Sequence, residues 1–373
     1  MSSPVDTYLA SVHAAHLPDT SGRVADHIPE MGRVGDGFGI CLATVDGYLY
    51  EVGDTRRDFT IQSISKTFTY GLALADRGLA AVDAKIDVEP SGEAFYEISL
   101  SQETGRPSNA MINAGAIAAA SLVAGETLEE RYERVRRAFS RCADRDLAMD
   151  EEIFSADLAI AHRHRAIGHL LRGSGVIEAD PGPAVELYFR QCALQVDCRD
   201  LALMAATLAN GGVQPRTGER VFEPEIVERM LSVMTTCGMY DAAGEWVAQV
   251  GLPAKSGVGG GVLAVLPGQI GIALYSPRLD RHGTACAVSP PAGRSRTSSS
   301  CTSCTSPAIG DPRSATPGRS GRPLRAAAAP RTSRRCSTST ARARACTRCT
   351  ATCCSRARSP SCASSPSARA SSR

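Results

Sequence analysis

The sequence predicts an α/β (α+β) fold, in which one antiparallel sheet is flanked by helices and accompanied by a helical subdomain. Two observations lead to this prediction. Strand patterns lie near both ends of the first 282 residues, at 38–52 and 261–275, and helical patterns fill the residues between them. Each strand group has the turn signals of a hairpin, so we expect an antiparallel sheet with strands from both ends of the domain.

Each predicted element follows from hydrophobic spacing and from the residues that end the pattern. The Asp46-Gly47 pair is typical of a hairpin turn. Asn210-Gly-Gly212 is typical of a helix C-terminus, because glycine adopts positive φ readily. In chain order the predicted elements are a helix at 5–16, strands at 38–45 and 48–52, helices at 65–79, 109–123, 128–141, 151–171, 183–191, 200–209 and 223–234, and strands at 261–266 and 269–275.

Charge divides the chain into two segments. Residues 283–373 contain 16 Arg, no Lys and one acidic residue, a net charge of +15, whereas the residues before them carry −13. The second segment has few large aliphatic side chains and no aromatic one, so burial cannot offset an ordering cost of roughly 1–2 kcal/mol per residue. We therefore predict a folded domain at 1–282 and a disordered Arg/Ser/Cys-rich tail at 283–373.

The tail has the composition that scrambled GC-rich codons yield, and our hypothesis is that it is a frame-shifted reading. Its spacings Cys301-x-x-Cys304 and Cys346-x-x-Cys349 resemble zinc half-sites but lack companion structure, so no metal site is predicted. Arginine-rich segments bind phosphate backbones. Without aromatic residues for base stacking, however, nucleic acid is not an expected partner.

The N-terminal residues contain no long apolar run, so neither a secretory signal nor a membrane span is predicted and a cytoplasmic location is expected. The cysteines of the first segment show no metal-ligand spacing and are expected to be buried or half-buried free thiols. They are Cys41, Cys142, Cys192, Cys198 and Cys237.

The sharpest local motif is Ser63-x-x-Lys66 at the start of a predicted helix. Residues three apart share a helix face, so the lysine amine can reach the serine hydroxyl. Burial would lower the lysine pKa and let it serve as the base that activates the serine. The pattern is short, and a surface lysine after an N-cap serine is the ordinary alternative. Against that alternative, Lys66 is one of three lysines in the chain and lies in an apolar run.

A second motif, Lys255-Ser-Gly-Val-Gly-Gly-Gly261, directly precedes a predicted strand. Lys-Ser/Thr-Gly at a strand edge accompanies Ser-x-x-Lys in serine β-lactamases and penicillin-binding proteins. Its glycines let the backbone approach a ligand closely, although a flexible turn before a hairpin would also use them. Together, and in this order, the two motifs favour an acyl-transfer serine enzyme.

Six sequence blocks between residues 24 and 280 extend these motifs. They are Ile61-Gln-Ser-Ile-Ser-Lys66, Gly105-Arg-Pro-Ser-Asn-Ala-Met-Ile-Asn113-Ala-Gly-Ala-Ile117, Tyr188-Phe-Arg-Gln-Cys192, Leu208-Ala-Asn-Gly-Gly-Val213, Cys237-Gly-Met-Tyr240-Asp and Gly251-Leu-Pro-Ala-Lys-Ser-Gly-Val258. In this order the blocks resemble the bacterial-type glutaminases. The resemblance implies a serine β-lactamase/penicillin-binding-protein-like fold, hydrolysis of L-glutamine, no metal or organic cofactor, and a homo-oligomer, either tetramer or dimer. The family's last helix is replaced here by the tail.

The resemblance also implies roles for individual residues. Ser63 would attack the glutamine amide, Lys66 would take its proton, and Tyr240 would help proton transfer to ammonia. The backbone N–H groups of Ser63 and Val258 would hold the oxyanion. The remaining substrate-binding residues implied are Asn113, Tyr188, Gln62, Asp157, His164 and His27.

Three of these positions depart from the family pattern. Asp157 stands where the family has a substrate-binding Glu, His164 where it has Asn, and His27 where it has Tyr. A carboxylate one methylene shorter retreats by about 1.5 Å, and a misplacement of ~1 Å can cost about 100-fold in rate. A histidine here also adds a group whose unperturbed pKa is about 6.5. The alternatives are therefore another small-amide or β-lactam-reactive serine hydrolase, or a catalytically impaired pseudoenzyme.

Overall fold

The computed structural model describes residues 3–93, 97–98 and 100–288, all of them within a unit spanning Met1–Ile309. Of the predicted tail, only residues 283–288 are described. They follow the last strand closely: the backbone N–H of Asp280 donates to the Thr284 carbonyl, and Ala285 bridges to Leu279. The other tail residues, with both Cys-x-x-Cys spacings, lie outside the described residues, so the division after residue 282 stays a prediction.

The described residues form α-helices, β-strands and short 3-10 turns. The helices are α1 (Pro4–His16), α2 (Ser65–Arg77), α3 (Leu79–Asp83), α4 (Asn113–Leu122), α5 (Leu128–Ala143), α6 (Glu151–Ala159), α7 (His162–Gly173), α8 (Gly182–Cys192), α9 (Cys198–Ala209), α10 (Pro224–Cys237) and α11 (Ala243–Gln249). The strands are β1 (Arg23–Val24), β2 (Gly39–Thr44), β3 (Leu49–Gly53), β4 (Phe59–Thr60), β5 (Gln195–Val196), β6 (Ala254–Ser256), β7 (Gly261–Leu266), β8 (Ile270–Tyr275) and β9 (Arg278–Leu279). The 3-10 turns are Met31–Arg33, Gln62–Ile64, Tyr240–Ala242 and Cys286–Val288.

The main sheet has five strands in the order β3-β2-β8-β7-β6, and every neighbouring pair is antiparallel. Strand β2 lies between β3 and β8, with Leu42 opposite Tyr50 on one side and Ile272 on the other. The predicted antiparallel sheet with strands from both ends of the domain is therefore confirmed. Two small two-stranded sheets, β1-β9 and β4-β5, were not predicted, because two residues are too few to show an alternating pattern.

Helix α9 packs directly on the sheet. It contacts β8, β2 and β7, and its residues are almost all buried. Close approach requires Gly271 in β8, since a Cβ at that position would lie 2.2 Å from the Ala206 backbone nitrogen. Helix α8 contacts α4, α5, α6 and α7, which gives the predicted group of helices beside the sheet.

Helix ends differ from prediction where side chains bind the backbone. Predicted helix 109–123 begins only at Asn113, because the Asn109 Oδ1 accepts the Met111 N–H at 2.9 Å in a competing turn. Predicted helix 151–171 is two helices, and Arg165 donates to the Leu158 carbonyl at 2.8 Å, where α6 ends. Helix α9 begins two residues early because Asp197 caps it.

Three further observations concern the described residues alone. The cysteines predicted to be thiols are all buried and free. No described helix combines the length and apolar character that a membrane crossing requires, and no described group of His, Cys, Asp or Glu is arranged to hold a metal ion.

Candidate active site

Ser63 lies in the 3-10 turn that leads into α2, and Lys66 lies in the first turn of that helix. The Lys66 Nζ is 2.9 Å from the Ser63 Oγ and 2.7 Å from the Asn113 Oδ1. Tyr188 donates its hydroxyl to the same Asn113 oxygen at 3.1 Å. The predicted one-turn spacing therefore places an amine against the serine hydroxyl, and residues from α4 and α8 hold that amine in position.

Burial sets the protonation of Lys66. The side chain is only 1% exposed, and desolvation lowers its pKa to about 8. An ammonium ion loses its water shell in such a place, whereas a neutral amine loses much less. Lys66 is therefore partly neutral near physiological pH and can accept the Ser63 proton.

A second buried lysine, Lys255 in β6, lies against the ring of Tyr240. Its Nζ donates to the Ser256 carbonyl at 2.9 Å and is 3.8 Å from the centroid of the Tyr240 ring. Burial, together with repulsion from Lys66, holds the Lys255 pKa well below its ordinary value. Sequence reasoning noted the motif but gave this lysine no place in the site. The signal available was one of only three lysines in the chain, directly before a serine and a glycine-rich run.

Tyr240 lies in its own 3-10 turn with φ at +54°, a conformation that is unusual for an aromatic residue. Its side chain hydrogen bonds to Ser63, and burial raises the pKa of its phenol. The phenol is consequently protonated at neutral pH and can donate a proton at the position of Ser63.

The glycine run after β6 passes directly against the Ser63 turn. A Cβ at Gly259 would lie 2.2 Å from the Thr60 carbonyl, and one at Gly257 would lie 2.9 Å from the Ile61 carbonyl. Residues with side chains at these two positions would push the run away. The absence of side chains there brings the Val258 backbone close to Ser63, and both residues line the same cleft.

This cleft has a volume of about 1080 Å³. Eight of the ten predicted site residues line it, and the other two, Lys66 and Tyr240, contact Ser63 at its base. The eight are His27, Gln62, Ser63, Asn113, Asp157, His164, Tyr188 and Val258. Gln62 is buried with φ at +48°, and its amide nitrogen donates to the Thr60 hydroxyl at 3.2 Å.

The three positions that depart from the family pattern lie together on one wall. The His27 Nε2 is 3.2 Å from the Asp157 Oδ1, and the Asp157 side chain is 8% exposed against 43% for His27. The His164 ring stacks on Tyr188 at 5.4 Å and meets Phe189 edge-on at 4.9 Å. Burial and repulsion from Lys66 lower the His164 pKa to about 4. The His164 imidazole is therefore neutral at pH 7, since its pKa lies well below the unperturbed value of about 6.5.

A polar network missed by sequence reasoning joins α2 to α8 behind the site. The Ser65 hydroxyl donates to the Gln62 carbonyl at 2.6 Å, and Gln191 donates its amide to the Ser65 oxygen at 3.2 Å. The Thr69 hydroxyl donates to the side-chain Oε1 of Gln191 at 2.6 Å. Ser65 and Thr69 are spaced i, i+4 in a buried helix, and this spacing of polar residues was the signal in the sequence.

The fold and the site together define a class of protein. A serine and a buried lysine one helical turn apart, beside a Lys-Ser-Gly strand on an antiparallel sheet, are typical of serine acyl-transfer enzymes with the β-lactamase-like architecture. The sequence profile of the glutaminase family matches residues 22–289. The chain belongs to the glutaminase family.

Known relatives agree with this assignment. The chain is 52% identical over 268 residues to Glutaminase 1 of Bradyrhizobium diazoefficiens, and the match covers 72% of this chain and 44% of that protein. It is 49% identical over 284 residues to a glutaminase of Trichormus variabilis, covering 76% of this chain and 85% of the relative. The chain thus spans less than half of the first relative's length.

Solved structures support the fold. The crystal structure of Mglu in its glutamate form matches with a TM-score of 0.74 and 46% sequence identity, covering 77% of this chain and 67% of that chain. The predicted β-lactamase-like α/β architecture is therefore confirmed.

Proposed function

We propose that this protein hydrolyses the side-chain amide of L-glutamine to L-glutamate and ammonia. The observation that carries the proposal is the contact between the Ser63 hydroxyl and the buried Lys66 amine at the base of the cleft. The 46% identical Mglu has been solved in a glutamate form, and glutamate is the product of this reaction.

In the proposed mechanism, Lys66 takes the hydroxyl proton as the Ser63 oxygen attacks the amide carbon. The backbone N–H groups of Ser63 and Val258 hold the oxyanion, as donors placed where negative charge develops. Tyr240 donates a proton to the departing ammonia and regains one from the protonated Lys66, which leaves an ester on Ser63. Water then attacks that ester and gives a proton to Lys66, which passes it to the Ser63 oxygen as glutamate is released. Only protein groups and water take part, so no metal or organic cofactor is required.

The remaining wall of the cleft is proposed to hold the amino-acid end of the substrate. Asn113 and Tyr188 are hydrogen bonded to each other and line the cleft beside Lys66. The Asp157 carboxylate supplies negative charge for the substrate ammonium. His164 contributes a neutral imidazole, and Gln62 and His27 complete the wall.

Ammonia release from glutamine by the purified protein tests the proposal. We expect Ser63→Ala to abolish the release, because no other group can form the ester. A matched control is Ser232→Ala, since Ser232 is exposed on α10 and its hydroxyl donates to the Glu228 carbonyl. Ammonia release that survives Ser63→Ala, or that is lost equally in the control, contradicts the assignment.

A second candidate function, hydrolysis of another small amide or reaction with β-lactams, is favoured by one observation. His27 already pairs with Asp157, so an α-ammonium group would have to compete for that carboxylate. A fluorescent penicillin that labels wild-type protein but not Ser63→Ala would favour this candidate, particularly if glutamine is turned over slowly. Failure of both reactions in a folded protein would indicate an impaired enzyme.

We also propose that the protein acts in the cytoplasm as a homo-oligomer, a tetramer or a dimer, without nucleic acid as partner. Light scattering of the purified protein would give the mass of the assembly, and a monomer would contradict this proposal. Cell fractionation tests the location, and a filter-binding assay with a nucleic acid tests the expected lack of that partner.

A further inference from the structure

The turn that carries Tyr240 is tied to the C-terminal edge of the described fold by one pair of side chains. The His282 Nδ1 lies 2.9 Å from the Asp241 Oδ2, although the residues are 41 positions apart. Asp241 directly follows Tyr240, and His282 lines the cleft. The pair thus joins two segments that both border the candidate active site.

Neighbouring contacts fix the direction of this hydrogen bond. Arg281 donates its Nε–H to the His282 Nε2 at 2.8 Å. Because an arginine N–H can only donate, Nε2 is the unprotonated nitrogen and Nδ1 carries the hydrogen. The Nδ1–H therefore donates to the Asp241 carboxylate, and a bond to a charged acceptor is stronger than one between neutral groups.

His282 is itself held by a well-bonded turn. The backbone N–H groups of His282 and Thr284 both donate to the Asp280 Oδ1, at 2.8 and 3.0 Å. The Asp280 N–H donates to the Thr284 carbonyl at 2.8 Å. This turn directly follows β9, which pairs with β1. The backbone at His282 is therefore held in place by the hydrogen bonds of this turn.

Tyr240 needs support from its neighbours. Its φ of +54° is disfavoured for a bulky residue, and such conformations persist only where the surroundings hold them. Its phenol must stay on Ser63 while its ring stays against Lys255. The next residue, Asp241, is 31% exposed, so without a partner it would exchange its bond for water.

We propose that His282 is a positioning residue, which holds the Tyr240 turn through Asp241 and so keeps the Tyr240 phenol on Ser63. This inference rests on the function proposed above for Tyr240. It adds a residue from the extreme end of the described fold to the set on which catalysis depends.

Steady-state glutamine hydrolysis by full-length variants tests the inference. We expect His282→Ala to lower kcat about three- to tenfold, the effect of one lost hydrogen bond, with KM changed less than twofold. His282→Asn should keep kcat within about twofold, since its amide Nδ2–H can replace the lost donor. Asp241→Ala should match His282→Ala, and the double variant should fall no further, because both remove the same bond.

His169→Ala is the matched control, because His169 is exposed on α7 and does not line the cleft. The inference is overturned if His282→Ala retains wild-type kcat, if His282→Asn loses as much as His282→Ala, or if the two single losses multiply in the double variant. A merely structural role would lower the amount of folded enzyme without the rescue by Asn.

Failure of the proposed function is distinguishable from failure of this inference. If the wild-type protein releases no ammonia, the resonance of Tyr240 in a protein with ¹³C-labelled tyrosine decides the question, with Tyr240→Phe identifying the signal. A shift of this resonance in His282→Ala, but not in His169→Ala, supports the positioning contact. An unchanged resonance overturns it.

Discussion

Lys66 is almost completely buried, and this burial lowers the pKa of its amine to about 8. Sequence reasoning identified the residue from its spacing to Ser63 and from the rarity of lysine in this chain. The value of its pKa could not be derived in that way, because the desolvation comes from α4, α8 and the Tyr240 turn. Only the assembled fold removes the water that would keep the amine charged.

The pH dependence of the reaction follows from this pKa. The base is active when neutral, so below pH 8 kcat/KM should rise about tenfold per pH unit and then level off near the Lys66 pKa of about 8. Initial rates with glutamine between pH 6 and 9 check this. A profile that is flat between pH 6.5 and 8 would contradict Lys66 as the base.

Replacing Lys66 by methionine should remove activity and raise stability. At pH 7 a buried lysine whose pKa falls from 10.5 to about 8 costs about 3 kcal/mol of the free energy of unfolding, since each pKa unit is worth about 1.36 kcal/mol. We expect Lys66→Met to recover about 2 kcal/mol of this, because it also loses the bonds to Ser63 and Asn113. Urea denaturation measures the change.

The sign of the pH effect provides the control for this prediction. Between about pH 8 and 10.5 the unfolded chain binds more protons at Lys66 than the folded one, so wild-type stability rises with pH there. The advantage of Lys66→Met should be greatest below pH 8 and shrink above it. An advantage that stays constant from pH 7 to 10 would show that the pKa of Lys66 is not depressed.

A longer side chain at position 157 tests whether the Asp157 carboxylate is well placed for the substrate. Glu reaches about 1.5 Å further than Asp, so Asp157→Glu should raise kcat/KM for glutamine about tenfold or more. Glu152→Asp, on the same helix but paired with Arg33 and outside the cleft lining, is the control. Lower kcat/KM in Asp157→Glu, as measured by ammonia release, would show that the pair with His27 already suits the substrate.

At the scale of elements, the two predicted hairpins are present because their patterns are local. Strands β2 and β3 are joined by Asp46-Gly47, and β7 and β8 by Pro267-Gly268, so each pair needs only neighbouring residues to form. Strand β6 was not predicted. Three residues carry too little pattern, and β6 is defined by its pairing with β7.

The predicted helix boundaries differ from the observed ones where a single side chain sets the boundary. Residues 109–112 have helical composition, but the bond from the Met111 N–H to Asn109 delays the start of the helix to Asn113. That shift matters because Asn113, as the first residue of α4, faces Lys66. The break between α6 and α7 similarly lets Asp157 and His164 approach the cleft from two separate helices.

The packing of α9 on β8 gives a prediction at this scale. Gly271→Ala should lower the free energy of unfolding by about 3 kcal/mol, because the added methyl group would overlap the α9 backbone at Ala202 and Ala206. Gly244→Ala, in α11, has nothing within 4 Å of the added methyl and should be neutral or stabilising by up to about 1 kcal/mol. Urea denaturation of both variants compares them, and equal stability would contradict the close contact.

At the scale of the whole molecule, the charge division of the sequence separates a folded region from the proposed tail. The described residues run to 288, and the last of them adjoin β9. The family profile ends at residue 289, close to the same point. Both observations group residues 283–288 with the domain rather than with the tail, and they support the proposal that the segment beyond is foreign to the domain.

Two measurements test the proposed tail. Resequencing the gene around the codons for 280–283 should reveal a shifted reading frame, and an intact frame would contradict the hypothesis. A chain ended after residue 288 should keep the urea midpoint and the rate of ammonia release of the full chain. Loss of either would show that the Arg-rich segment contributes to the fold.

The sequence by itself determined the pairing of Ser63 with Lys66, the two hairpins and the family, because each depends on residues close together in the chain or on blocks in a fixed order. Tertiary structure decided the pKa of Lys66, the place of Lys255 beside Tyr240, and the pairs His27–Asp157 and His282–Asp241. The physical reason is that burial and electrostatic contact depend on distance in space. Segments that are separated in the chain supply these contacts, and no local pattern records which of them will meet.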